Sequence, residues 1–176
     1  DLILISVAAL EERKGIQWVI RAIPELSQNQ QNVHYWVLGD GPYRGELTAL
    51  TQELHLEDQV TFWGFIRDVE PYLAASDIAL LLSYGEASPV SLLEFAAAGL
   101  PVITSNHPPF PELVKPEWGI MVDETNTDAL VQAIVRLSHN PALRRQMGKA
   151  GREWVCQNHA WPKIAEQYQA LIEGRS

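Results

Sequence analysis

The sequence of 176 residues is poor in cysteine and in positive charge. Its single cysteine, Cys156, permits no disulfide within the chain, which fits a reducing compartment, so we expect a cytoplasmic protein. The chain carries 13 Lys and Arg against 22 Asp and Glu, a net charge of −9. Because nucleic-acid binding needs Lys and Arg clustered over an extended face, this balance argues against a nucleic-acid partner. A small anionic ligand stays compatible with it, since one lysine and a helix end act locally.

Long apolar runs and metal-ligand patterns are absent as well. No apolar stretch approaches the roughly 18 residues of a membrane-spanning helix, and there is no signal peptide. A parent chain bound at the membrane periphery stays an open alternative. No His or Cys pair has metal-ligand spacing and no D-x-D motif occurs, so we expect no requirement for a divalent metal. The chain begins at Asp1 directly on a predicted strand, from which we expect that an upstream portion is missing.

What the sequence does contain is an alternation of short apolar runs and amphipathic segments. The apolar content of 47% is ordinary for a globular protein, and the length fits one domain over residues 1–176. Strands that alternate with helices, with no hairpin signals, predict parallel pairing. We therefore predict an α/β fold: a Rossmann-like, mostly parallel sheet of about six strands with helices on both faces. The predicted strands are 2–7, 33–38, 60–63, 78–82, 100–104 and 119–122.

The stretch from Tyr84 to Ser105 organises the rest of the chain. It follows a buried strand and contains a helix that Ser88 can cap, with Pro89 in its first position and Gly99 at its end. Other helices are predicted over 15–23, 47–54, around 112, from 127 with Asn126 or Thr127 as the cap, from 141 and from 161–162.

Two carboxylates, Glu86 and Glu94, lie in this stretch with seven residues between them. Helical spacing places Glu94 on the face of Val90 and Ser91, leaning toward the helix N-terminus. The first-turn amides there lack partners and carry partial positive charge, so phosphate is their natural ligand. A ribose joined to that phosphate would pass Glu94, whose carboxylate can accept hydrogen bonds from two adjacent hydroxyls. Glu86 would then face the group beyond the phosphates.

The segment from Ser83 to Val102 resembles the E-x7-E region of retaining glycosyltransferases of family 4. The resemblance runs from about Val7 to Trp161 and covers one half of such an enzyme, the C-terminal, nucleotide-sugar-binding domain of a GT-B fold. It implies that an N-terminal acceptor-binding domain is absent from this chain. It also implies a nucleotide sugar such as a UDP- or GDP-sugar as substrate, no cofactor and no metal.

The resemblance further implies roles for individual residues. Glu86 would be the catalytic residue that orients the transferred sugar. Lys14, in a K-G element, would neutralise the donor diphosphate, a G-D-G-P turn would line the donor site, and the loop after the third strand would contact the base. The implied donor-binding residues are Lys14, Glu94, Val90, Ser91, Gly39, Gly41, Gly64 and Arg67.

Several positions depart from the family pattern. Ala8 and Ala9 stand where the family commonly has Gly-Arg, whose arginine also contacts the diphosphate. Pro108 and Pro109 replace two glycines of an S-x-x-G-G-x-x-E loop, and proline offers no amide to a sugar phosphate. His107 in the same loop is interpreted as an ordinary loop histidine. Whether the departures at Ala9, Pro108 and Pro109 abolish activity does not follow from the sequence.

Two other classes of function stay open. An epimerase-like enzyme of GT-B fold would keep the same ligand, whereas another Rossmann-like nucleotide binder would prefer NAD or ATP. Arg44 occupies the third glycine position of the nearest dinucleotide fingerprint and no phosphate-loop motif occurs, which weakens the NAD and ATP hypotheses. A non-catalytic domain kept for partner binding is the remaining alternative. The sugar, the base and the acceptor depend on loop geometry and on the missing domain.

Overall fold

The computed structural model describes residues 1–28, 32–159, 163, 165, 169 and 172. The strands in this part of the chain are β1 Leu2–Val7, β2 Val33–Leu38, β3 Val60–Gly64, β4 Ile78–Leu81, β5 Val102–Ser105 and β6 Gly119–Val122. The helices are α1 Ile16–Gln28, α2 Arg44–Glu53, α3 Glu70–Ala74, α4 Val90–Ala98, α5 Phe110–Leu113, α6 Thr127–Ser138 and α7 Pro141–Asn158.

The strands form one sheet in the order β3-β2-β1-β4-β5-β6, and every neighbouring pair is parallel. The order reverses between β1 and β4, which pair through Leu4 with Ile78 and Ile5 with Ala79. In open α/β sheets a ligand binds outside the carboxyl ends of the strands at such a switch point. The loops after β1 and β4 therefore frame the expected site.

Successive side chains of the strands alternate between two buried clusters. Leu4 and Leu80 pack with α1, α2 and α6 on one face, whereas Ile5 and Leu81 pack with α3, α4 and α5 on the other. A strand covered on both faces is mostly apolar, and all four residues of β4 are apolar and buried. The predicted Rossmann-like sheet with helices on both faces is confirmed.

The predicted element bounds hold for most strands. Strands β1, β2 and β6 match the prediction, and β3 and β4 differ by one residue at one end. β5 begins at Val102, two residues late, because Pro101 has no amide to donate to a neighbouring strand. α1 continues through Pro24 to Gln28 because Leu26 is still buried in the core. The sequence does not predict α3, whose five residues are too few to show helical periodicity.

Asparagine side chains cap the N-termini of the last two of these helices, α6 and α7. Asn126 accepts a hydrogen bond from the Ala129 amide at 3.0 Å, so Asn126 is the cap of α6 and Thr127 is its first residue. Asn140 caps α7 in the same way, and Pro141 is its first residue as predicted. The predicted helix start at Trp161–Pro162 lies outside the described residues.

Candidate functional site

The loop after β1 carries Lys14 to the end of β4. It forms a short 3-10 helix over residues 12–14 and turns at Gly15, whose φ is 72°. A Cβ at Gly15 would lie 2.2 Å from the carbonyl oxygen of Leu82, so only glycine lets this turn approach the end of β4 so closely. The Tyr84 amide donates to the Arg13 carbonyl at 3.0 Å and joins the two loops. The backbone therefore fixes the position of Lys14.

Lys14 and Glu86 form an ion pair at the switch point. Lys14 Nζ donates to Glu86 Oε1 at 2.5 Å, and the two side chains are only 13% and 10% exposed. Burial raises the pKa of Glu86, but the hydrogen bond and charge of Lys14, the nearby Ser83 hydroxyl and the Arg13 charge together lower that pKa below its ordinary value of 4.5. Glu86 is therefore an ionised hydrogen-bond acceptor at neutral pH, with a cation beside it.

A second cation, Arg13, lies at the same rim of the sheet. Its Nη1 donates to the Gly85 carbonyl at 3.3 Å, and its Nε donates to Glu11 Oε2 at 2.6 Å. Sequence reasoning did not single out Arg13, although its position beside Lys14 was a signal. The site holds two cationic side chains even though Ala9 brings none.

Helix α4 begins one residue later than predicted. Pro89 is its N-cap, and no side chain makes a capping hydrogen bond, so the prediction that Ser88 caps the helix is wrong. The reason is that Pro89, expected inside the helix, takes the cap position and displaces Ser88 from it. The Val90 amide donates to the Ser88 carbonyl at 2.9 Å, whereas the Ser91 amide has no backbone acceptor in the described part of the chain. Of the two predicted amides, Ser91 is thus the one left to bind an anion.

Glu94 and Arg67 line one cleft. Its volume is about 360 Å³, and it lies between the loop after β3, helix α3 and helix α4. Glu94 is half-buried and makes no hydrogen bond to the described residues. A carboxylate and a guanidinium that face one opening suit a ligand with both hydroxyls and acceptor atoms. The residues that line the cleft are Arg67, Asp68, Val69, Glu70, Leu73, Glu94, Ala97 and Ala98.

Backbone geometry alone requires the three glycines that were predicted to bind the donor, Gly39, Gly41 and Gly64. A Cβ at Gly39 would lie 1.9 Å from the Ala8 carbonyl oxygen, and a Cβ at Gly41 would lie 2.5 Å from that of Leu10. Gly64 has a φ of 74°, and its carbonyl accepts from the Gly39 amide at 2.7 Å. These contacts bring the loops after β1, β2 and β3 together and require glycine without any ligand.

A second cleft, of about 290 Å³, opens where these three loops meet. It is lined by Ala8, Ala9, Gly39 and Asp40, and by Phe65, whose side chain is among the most exposed aromatics of the described chain. Gly39 therefore lies at a potential ligand surface, whereas Gly41 lines neither of the two clefts. Small residues at positions 8 and 9 leave this cleft open.

A polar pair at the ends of β5 and β6 is missed by sequence reasoning. His107 Nε2 lies 2.9 Å from Oε1 of Glu124, which is buried. The sequence indicates only an ordinary loop histidine at His107 and does not single out Glu124. The available signal was that both residues follow predicted strands whose carboxyl ends meet at one edge of the sheet.

The described residues contain neither a candidate metal site nor a candidate membrane-spanning helix. No group of three or more His, Cys, Asp or Glu side chains there lies close enough together to hold a metal ion. None of the helices in that part of the chain has the length and apolar character needed to cross a membrane.

Known proteins resemble this chain over nearly its whole length. A sequence model of the family described as "Glycosyl transferases group 1" matches residues 1–154. The N-acetyl-alpha-D-glucosaminyl L-malate synthase of Bacillus anthracis is 31% identical over 172 aligned residues, covering 97% of this chain and 45% of that protein. A GDP-mannose-dependent alpha-(1-6)-phosphatidylinositol monomannoside mannosyltransferase of Mycolicibacterium smegmatis is 27% identical over 183 aligned residues, covering 98% of this chain and 48% of that protein.

Solved structures agree on the fold. Anabaena Alr3699/HepE, crystallised in complex with UDP, aligns with a TM-score of 0.92 at 20% identity, covering 99% of this chain and 49% of that one. The chain spans about half the length of the curated relatives it matches. Because the family match extends over most of the sequence and the sheet has the same architecture, the chain belongs to the group 1 glycosyl transferases, which have the GT-B fold.

Proposed function

We propose that this chain is the donor-binding domain of a retaining glycosyltransferase of family 4, which transfers a sugar from a nucleoside diphosphate sugar to an acceptor. The observation that carries the proposal is the partly buried Lys14–Glu86 ion pair at the switch point of the sheet. A cation and an ionised carboxylate held side by side there suit a diphosphate and the sugar bonded to it. In this proposal no metal or cofactor takes part, because Lys14 supplies the positive charge.

The donor would lie along the carboxyl edge of the sheet. The cleft shared by Glu94 and Arg67 supports placing the ribose at Glu94 and the base near Arg67. In this proposal the base would extend toward Gly64, which ends β3 and does not line the cleft. The diphosphate would bind Lys14 and the Ser91 amide, with Glu86 accepting a hydrogen bond from the transferred sugar. An ammonium group has three donors, so Lys14 can contact a phosphate oxygen and keep its bond to Glu86.

These groups would favour departure of the nucleoside diphosphate. As the bond from the anomeric carbon to the diphosphate oxygen breaks, negative charge grows on that oxygen, and a new bond forms from the anomeric carbon to the acceptor oxygen on the same face. The proton of the acceptor hydroxyl passes to the departing diphosphate oxygen. Lys14 and the N-terminus of α4 are already in place when that charge appears, so they stabilise the transition state more than the ground state.

The rest of the enzyme would lie outside this chain. We propose that the acceptor binds to an N-terminal domain, that the protein acts in polysaccharide or glycolipid biosynthesis, and that it works in the cytoplasm, with the parent chain at the membrane periphery as the alternative. The names of two similar proteins mention GDP-mannose and UDP, which supports a nucleoside diphosphate sugar as the ligand class and leaves the base to experiment.

The test is calorimetric titration of this chain, at one fixed low salt concentration, with UDP, GDP, ADP and NAD. We expect one nucleoside diphosphate to bind, and Lys14→Ala and Glu94→Ala each to weaken it by about 1–3 kcal/mol, as for a lost charge-assisted hydrogen bond. The matched controls are Lys149→Ala and Glu153→Ala, which remove an exposed ion pair on α7 and should leave binding unchanged.

Two results would contradict this function. A preference for NAD would favour another Rossmann-like nucleotide binder. Failure of the complete parent chain to bind any nucleoside diphosphate at millimolar concentration would remove the donor site altogether. Transfer assays on that parent chain separate an enzyme from a non-catalytic domain, and we expect this chain alone to bind nucleotide without transferring sugar.

A further inference from the structure

The His107–Glu124 pair is built into the carboxyl edge of the sheet. Glu124 is 7% exposed, follows β6 and places Oε1 2.9 Å from His107 Nε2. A carboxylate oxygen accepts hydrogen bonds, so in the neutral imidazole Nε2 is the donor to Glu124 and Nδ1 is the acceptor. The other ring nitrogen, Nδ1, makes no hydrogen bond to the described residues and belongs to a side chain that is 44% exposed. Glu124 therefore orients the imidazole so that Nδ1 is left to bond to a ligand.

Buried oxygens without hydrogen-bond partners occur toward the carboxyl ends of three strands of the sheet. Among the described residues they include Glu124 Oε2, two residues after β6, Thr104 Oγ1, next to the last residue of β5, and Ser83 Oγ, two residues after β4. Buried polar groups in proteins nearly always have a partner. The Ser83 hydroxyl lies close enough to Glu86 to lower its pKa, although its geometry falls short of a hydrogen bond. This edge of the sheet thus offers hydrogen-bonding groups that have no partner among the described residues.

The strand order gives the position of the pair relative to the donor. Along the edge, Lys14 follows β1, Glu86 follows β4, His107 follows β5 and Glu124 follows β6. The His107 ring also lies edge-on to the ring of Tyr84, at 6.2 Å between centroids, two residues before Glu86. If the base lies toward β3 and the diphosphate at Lys14, the far side of the sugar points toward His107.

We propose that His107, oriented by Glu124, binds a hydroxyl on the far side of the donor sugar and so helps to select which sugar is transferred. This proposal rests on the proposed function, since it assumes a nucleoside diphosphate sugar at Lys14 and Glu86. Nδ1 of the neutral His107 ring accepts a hydrogen bond from that hydroxyl, and Oε2 of Glu124 accepts one from a second group of the ligand or from a water that the ligand holds. Sugars that differ only in the orientation of that hydroxyl are distinguished because one of them leaves these acceptors unpaired.

The test compares each nucleoside diphosphate with its sugar conjugate. The affinities of this chain for UDP, UDP-glucose, GDP and GDP-mannose are measured for the unmodified protein, His107→Ala, His107→Gln and Glu124→Gln. We expect the preference for the bound conjugate over its nucleoside diphosphate to fall about threefold to tenfold in His107→Ala and Glu124→Gln, as for one lost hydrogen bond. We expect His107→Gln, which keeps an acceptor, to retain part of that preference.

Controls distinguish sugar selection by His107 and Glu124 from nucleotide binding at the donor site. Glu153→Gln is the matched variant for Glu124→Gln, because Glu153 is an exposed carboxylate on α7 that pairs with Lys149, and it should change neither affinity. Nucleoside diphosphate binding should stay within about twofold in all variants, less than the loss of one hydrogen bond. An unmodified chain whose conjugate binds no better than the nucleoside diphosphate, or variants that keep the full preference, would overturn this inference and leave the donor site standing. Absence of all nucleotide binding would instead overturn both.

Discussion

At the scale of single residues, the site depends on opposing effects on Glu86. Burial raises its pKa, and Lys14, with smaller help from Ser83 and Arg13, lowers the pKa below 4.5. We expect the Lys14→Met substitution to raise the pKa of Glu86, because the effect of burial is then no longer offset by the hydrogen bond and charge of the lysine. A carbon-detected NMR titration of the glutamate carboxyl groups measures this directly. Lys149→Met, on the exposed pair of α7, is the control and should leave Glu86 unchanged.

The same pair has a pH dependence of known sign. A group whose pKa is lowered by folding stabilises the folded state above its unfolded pKa, and this contribution is lost as the pH falls through the folded value. The difference in unfolding free energy between the unmodified chain and Lys14→Met should therefore shrink on acidification from neutral pH to below 4.5. A difference that grew on acidification would contradict the ion pair.

At the scale of elements, α7 packs against the end of α4 by backbone contact. A Cβ at Gly148 in α7 would lie 1.8 Å from the carbonyl oxygen of Gly99, which ends α4 with a φ of 77°. We expect Gly148→Ala to destabilise the chain by about 1–3 kcal/mol, because one helix must move away from the other. Urea denaturation measures the change.

A second helical glycine provides the control for that prediction. Nothing lies within 4 Å of a Cβ built at Gly45 in α2, so Gly45→Ala should be neutral or stabilise by up to about 1 kcal/mol through helix propensity. Equal effects of the two substitutions would show that propensity, and not the contact between α4 and α7, governs Gly148.

At the scale of the whole molecule, one sheet joins two buried clusters. Trp18 packs against one cluster and Trp118 belongs to the other, so tryptophan fluorescence reports on both faces. We expect a single urea transition with coincident fluorescence and circular dichroism, because the four central strands β2, β1, β4 and β5 each contribute to both clusters. The nucleoside diphosphate that binds, at about 100 times its Kd, should raise the unfolding free energy by about 2.7 kcal/mol by both probes. Two separate transitions would contradict a single cooperative unit.

Much of the fold could be predicted because its signals are local. Mostly apolar runs predict β1, β2 and β6 with their observed bounds, since strands covered on both faces are composed mainly of apolar residues. The errors in the predicted helix bounds occur where adjacent residues or tertiary contacts set the end of the helix. Pro89 takes the cap position of α4 from Ser88. α1 continues past Pro24 because Leu26 is still buried in the core. At the site, the E-x7-E spacing indicates Glu86 and Glu94, whereas Glu124 belongs to no motif and is indicated only by its place after a predicted strand.

The sequence by itself determined the family, the alternation of strands and helices, and the carboxylates and lysine that face the edge of the sheet, because these depend on residue type and short spacing. Only the tertiary structure decided the strand order and the contacts that follow from it. Lys14 meets Glu86 across 72 residues of chain, and His107 meets Glu124 across 17. Such pairs form because parallel strands bring their carboxyl ends to one edge, and no local pattern states which ends become neighbours.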